Sequence, residues 1–162
     1  MTTFDVRLAA LAGRLGADPR DLDDGHARWA VYAEAIGRAE EWPAVLDLIA
    51  DEPDLPIAAA VVVRALEVLP DARRADFVAA LPEGRSREYA ATRARELVVL
   101  ETMAAGDGPE FDVRRWTNWL QLRAATTINA EQTLEALSTS GATRRIRSAA
   151  ARRLRVVRRA GS

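Results

Sequence analysis

VLDLIADEPDLPIAAAVVVRALEVL, residues 45–69, decides the fold class of this chain. A short helix with Pro43 at its first turn leads into it and ends near Ala50. Asp51 to Pro56 is a tight polar connector. Ile57 to Leu69 follows as the most apolar helix of the chain and stops before Pro70. Apolar on every side, it has the pattern of a helix covered by several neighbours, and its expected place is the centre of a stack.

The order of apolar helix, polar turn and Ala-rich helix recurs twice. It appears in FVAALPEGRSREYAATRARELVVL (77–100) and in TLEALSTSGATRRIRSAAARRLRVV (133–157). In each a small residue precedes an apolar one by seven positions: Ala59/Leu66, Ala90/Leu97 and Ala150/Val157. The Ala positions lie 31 and then 60 residues apart. Recurrence near 30 residues is the mark of stacked helical repeats, with one degenerate unit between the last two.

Breakers divide the rest of the chain into helices. Phe4 to Leu15 is the first, closed by Gly16. The acidic connector Pro19 to Gly25 leads to a helix over His26 to Glu40, with Trp29, Tyr32, Ala33 and Ile36 on one face. Asp71 to Leu81 is short and amphipathic. Ser86 is a candidate N-cap for a long helix to about Met103, which AAGDGPE ends. Phe111 to Ala125 reads as an aromatic helix. Asn129, a candidate cap, opens a helix to Leu137, and STSGAT separates it from a last helix over Thr143 to Arg159. Short connectors make neighbours antiparallel. The expectation is one all-α domain over residues 1–162: a short, right-handed α-solenoid of about eight or nine helices in antiparallel pairs.

The turn-Arg-x-x-Ala-Ala pattern, fullest in ATRRIRSAAARRLRVV, resembles the start of the second helix of a HEAT or armadillo repeat. The resemblance covers Trp42 to Arg159 and fits residues 109–128 least. It implies protein or nucleic-acid binding along a curved surface, usually without catalysis.

Composition narrows the chemistry. Apolar residues make up 49% of the 162, too many for a disordered chain. The longest apolar run, Ile57 to Val63, falls far short of a membrane span of roughly 18 residues. Charge interrupts the apolar part of the N-terminus, unlike a signal peptide, so the expected location is cytoplasmic. There is no cysteine, which removes disulfides, thiolate catalysis and cysteine metal sites. All 23 basic residues are Arg, which removes lysine Schiff-base chemistry. No glycine-rich phosphate loop, nucleophile elbow, zinc motif or EF-hand register is present, so no cofactor or metal is expected. His26 stands alone among histidines and has no identifiable catalytic partner.

Charge is divided along the chain. Residues 1–112 carry 12 Arg against 22 Asp and Glu, a net of −10. Residues 113–162 carry 11 Arg against only Glu131 and Glu135, a net of +9. Projected at 100° per residue, Arg144, Arg145, Arg152, Arg155 and Arg159 fall within about 100° of one another, with Arg147 and Arg158 beside them. Ile146, Ala149, Ala150, Leu154, Val156 and Val157 occupy the opposite side. Arg153 alone points toward the apolar side. A terminal helix capping a stack would bury one face and solvate the other, but it does not need seven charges of one sign. Contact with an acidic protein surface, or with a phosphate backbone, would use them, because the guanidinium fork binds either anion in bidentate fashion.

Trp116 and Trp119, spaced i, i+3 on the aromatic helix, have Arg114, Arg115 and Arg123 close in sequence. Core packing explains such a pair, and so does an aromatic and arginine surface for a partner or a stacked base. The candidate binding residues are therefore Arg144, Arg145, Arg152, Arg155, Arg159, Arg114, Arg115, Trp116 and Trp119, with no catalytic set. The expected function is a non-enzymatic adaptor recognising an acidic protein partner. Nucleic-acid binding is the alternative, with a base-excision enzyme of HEAT-like fold behind it. The oppositely charged ends also suit pairing between copies of the chain.

Overall fold

The computed structural model describes residues 2–18, 22–105 and 112–161. Among the described residues the chain is all-α, with nine α-helices and no strand. The helices are α1 (Thr3–Leu15), α2 (Gly25–Ile36), α3 (Trp42–Asp51), α4 (Leu55–Leu66), α5 (Asp71–Ala80), α6 (Arg85–Ala104), α7 (Asn118–Thr127), α8 (Glu131–Ser140) and α9 (Arg144–Ala160). Parts of two expected connectors, residues 19–21 and 106–110, lie outside the described residues, as does Phe111.

Side-chain caps fix most helix starts. The Thr2 hydroxyl oxygen accepts from the Asp5 N–H while the Asp5 carboxylate accepts from the Thr2 N–H, a reciprocal capping box. Asp24, Asp54, Thr117 and Thr143 cap α2, α4, α7 and α9 in the same sense. Gly16 ends α1 at a φ of +76°, the left-handed conformation that a helix C-terminus favours and glycine adopts without penalty. The long helix starts at Arg85, so Ser86 lies inside it and is not its cap.

The residues form two compact units, 1–95 and 96–162. In the first, each helix packs against the next and the next but one: α1 on α2 and α3, α2 on α3 and α4, α3 on α4 and α5, α4 on α5. The odd helices form one row and α2 and α4 another. As its apolarity suggests, α4 is covered from several sides and buries Ala58, Val61, Val62, Ala65 and Leu66. Its buried seam begins at Ala58; Ala59 is only half-buried. In α2 the buried face is Val31, Tyr32, Ala35 and Ile36, one step round from the expected stripe, and Trp29 and Ala33 are half-buried.

The second expected helix is shorter than its periodicity. It ends at Ile36, and a 3-10 turn covers Ala39–Glu41. The Trp42 indole N–H donates to the Ile36 carbonyl at 2.9 Å, which occupies an acceptor that a continuing helix would use.

Polar ties lock this unit. The fully covered Glu52 carboxylate accepts from Arg28 Nε at 3.2 Å, from the Tyr32 hydroxyl at 2.9 Å and from the Asp54 N–H at 3.2 Å. Burial first, and then the Glu52 charge, push the Tyr32 hydroxyl far above its ordinary pKa, so it stays a donor. Buried Arg74 donates its Nε to the Leu66 carbonyl at 2.9 Å, at the C-terminus of α4.

In the second unit α7, α8 and α9 pack on one another, and α8 also meets a 3-10 turn at Val113–Arg115. Leu120, Ala124, Ile128, Leu134, Leu137, Ile146, Ala150 and Leu154 form its core. Buried Gln121 stitches the unit, donating to the Trp116 carbonyl at 3.0 Å and accepting from the Ala142 N–H at 2.8 Å. At Gly141 an added Cβ would sit 2.5 Å from the Leu137 carbonyl oxygen and 2.8 Å from Ile146, so the tight turn from α8 to α9 requires glycine. The α8 cap is Ala130, not Asn129; Asn129 instead accepts from Arg153.

Candidate functional site: an arginine-framed cleft

The arginines of α9 divide by what they touch. Arg147 donates to the Gly141 carbonyl at 2.7 Å. Arg153, the one directed toward the apolar side, donates to the Ile128 carbonyl at 3.2 Å and to Asn129 Oδ1 at 2.7 Å, tying α9 to the connector before α8. Arg158 pairs with both Glu131 and Glu135, which raise its pKa through hydrogen bonding and charge. Those two glutamates are the only acidic residues after Asp112. Arg144, Arg145, Arg152, Arg155 and Arg159 are all exposed. Among the described residues no carboxylate lies within salt-bridge distance of any of the five.

Two of these exposed arginines turn a helix face into a cleft. Arg145, Ala149 and Arg152 of α9 face Trp119, Leu122, Arg123 and Thr126 of α7 across a cleft of about 310 Å³. The Arg123 guanidinium lies 6.0 Å from the centre of the Trp119 ring, within cation–π range. The Thr126 hydroxyl donates back to the carbonyls of Leu122 and Arg123 at 3.0 and 2.9 Å. Leu122, Ala149 and the Trp119 ring give the cleft its apolar surface, three guanidinium groups and Thr126 make the rest of the lining polar, and no carboxylate lines it.

The other candidates lie apart from this cleft. Arg114 and Arg115 are exposed on the 3-10 turn before α7. Trp116 is not in α7: it ends the 3-10 turn in an extended conformation, with ψ of 147°. The helical Trp116–Trp119 pair expected from the spacing does not form. Thr117 is the reason, since its hydroxyl oxygen accepts from the Leu120 N–H to start α7, while the same hydroxyl donates to buried Glu96. Leu122, Arg123 and Thr126 were not among the expected binding residues. The available signal was the i, i+4 placement of Arg123 from Trp119 on one helix face.

A larger cleft, about 540 Å³, lies in the first unit between α4 and the start of α6. Ala59, Ala60, Val63 and the exposed Tyr89 line it, with Arg64, Glu67 and Arg85 at its edge. Its rim mixes both charge signs and its floor offers little polar chemistry. Among the described residues no group of three or more His, Asp or Glu is placed to hold a metal ion. No described helix is long and apolar enough to cross a membrane. No protein-family model matches the chain, and no curated protein or solved structure proved similar to it.

Proposed function

We propose that this chain is a non-enzymatic, helical-repeat adaptor working in the cytoplasm, which recognises an acidic protein partner through the exposed arginine face of α9. The observation that carries this reading is the division of the α9 arginines. Three are used within the fold, and five are held out on a folded helix with no acidic partner among the described residues. Such charges weaken their own helix by mutual repulsion, so a role outside the fold accounts for them best. The next-but-one packing of α1 to α5 and the recurrence near 30 residues support the repeat reading.

Nucleic acid is the second reading, favoured by Trp119 beside Arg123, Arg145 and Arg152. Charge ranks it lower. Residues 1–95 hold 12 Arg against 17 Asp and Glu, a net of −5, and the whole chain is −1 with a pI near 5.9. A long polyanion responds to the charge of the whole chain, whereas a short acidic segment responds to the local field within a Debye length of about 8 Å. The test is fluorescence anisotropy of a labelled glutamate-rich peptide and of a single-stranded oligonucleotide of equal charge, each against the full chain across a salt series. The reading expects peptide binding that weakens with salt and is lost in Arg144→Glu/Arg155→Glu/Arg159→Glu. Tighter binding of the oligonucleotide, or peptide binding indifferent to the variant, refutes it.

A further inference from the structure

The arginine face explains attraction to an acidic partner but not choice among acidic partners. We infer that the cleft between α7 and α9 is the specificity pocket of that face, taking one apolar side chain of an extended peptide with a carboxylate on either side. The inference rests on the reading of α9 above and adds the sequence pattern of the ligand.

The lining supplies each part. Leu122, Ala149 and the Trp119 ring supply the apolar part of a lining that is otherwise polar, and a cleft of about 310 Å³ has room for one aliphatic side chain against them. One face of Trp119 is already approached by the Arg123 guanidinium, so the indole serves as a wall rather than as a bare platform for stacking. Arg145 and Arg152 are seven residues apart on α9, two turns or about 10.5 Å along its axis. In an extended segment, residues i, i+2 and i+4 point to one side, and i to i+4 spans about 13 Å. The long arginine side chains splay to meet carboxylates at i and i+4 while the residue at i+2 enters the cleft. Arg123, on the opposite wall, adds a third donor fork to either carboxylate. The pattern read from the site is acidic-x-apolar-x-acidic.

The test uses the full chain and three labelled peptides of equal charge, built on the cores Glu-Ala-Leu-Ala-Glu, Glu-Ala-Ala-Ala-Glu and Glu-Leu-Ala-Ala-Glu, in anisotropy titrations. The first should bind about tenfold more tightly than the other two, about 1.4 kcal/mol. Thr126→Trp, an exposed position on the cleft, should abolish that preference while leaving the weaker, charge-driven binding of the Ala peptide. Arg155→Glu, outside the cleft, should weaken all three alike and keep the preference. A circular-dichroism melt of each variant confirms that it is folded. Equal binding of the three peptides overturns the pocket and leaves the arginine-face reading standing. A preference that survives Thr126→Trp also overturns the pocket. Failure of every peptide to bind, with or without binding of an equally charged oligonucleotide, overturns both.

Discussion

Arg144→Glu should make the fold more stable while making the protein a poorer binder. Arg144 and Arg145 open α9, where aligned peptide dipoles leave partial positive charge, and the first turn holds no acidic residue. Arg147 follows Arg144 at i+3 and adds repulsion. The substitution reverses both terms. Removing the cation and adding an anion at the helix start contributes roughly 0.3–1 kcal/mol each, and the pair with residue 147 a few tenths more. Because Arg144 is exposed, solvent screening cuts the sum to about 1 kcal/mol at low salt. The cap is untouched, since the Thr143 hydroxyl oxygen still accepts from the Ile146 N–H. For a chain of this size that is a rise in Tm of roughly 2–4 °C. Circular-dichroism melts at low and at molar salt check it, and the rise should shrink as the Debye length falls to about 3 Å. The same variant should bind an acidic peptide less tightly. A Tm that falls, or does not move at low salt, would show that Arg144 stabilises the fold and would remove the case for a role outside it.

Other outcomes follow from the packing. Glu52→Ala strands the nearly covered Arg28 beside Tyr32 and should lower stability by about 3 kcal/mol, read from the urea midpoint, whereas Tyr32→Phe should cost only about 1–2 kcal/mol. Gly141→Ala forces a Cβ against the Leu137 carbonyl oxygen and should cost about 1–3 kcal/mol, measured by the same unfolding curve. Hydrogen bonding to Arg14 holds the Glu41 carboxylate below its ordinary value of 4.5. Its stabilising effect is therefore full above that value and is lost as the pH falls below it, and Glu41→Gln should flatten that acid limb in melts followed against pH.

The helices were legible wherever a breaker or a capping residue coincided with the end of an apolar period. Gly16, Pro70 and Thr143 are such points: α1 ends at Leu15, α5 begins at Asp71 and α9 at Arg144, each within a residue of the reading, whereas α4 ends at Leu66, three residues before the expected Leu69. Legibility failed where a side chain took over a backbone bond. The Trp42 indole captures the Ile36 carbonyl and shortens α2, and Thr117 starts α7 one residue after Trp116, splitting what reads as one aromatic helix. Periodicity carries no trace of either. The arginine stripe of α9 was legible because amphipathicity is a property of one helix, and the buried Ile146, Ala149, Ala150 and Leu154 lie on its expected apolar side. Val156, assigned to the same side, is 55% exposed; in projection it falls at the edge of that side, next to Arg145. The cleft was not legible, since it requires knowing that α7 packs on α9. The roles of Arg147, Arg153 and Arg158 depend on where the α8 connectors and carboxylates fall in space.

The most direct test of the account is an NMR titration of the isotopically labelled full chain with the Glu-Ala-Leu-Ala-Glu peptide, following backbone amides and arginine side-chain N–H groups. The account predicts shifts concentrated on Arg123, Arg145, Arg152 and the Trp119 indole, extending along α9 to Arg155. Shifts centred on Tyr89 and Val63 in the cleft of the first unit, or none in α9, would contradict it.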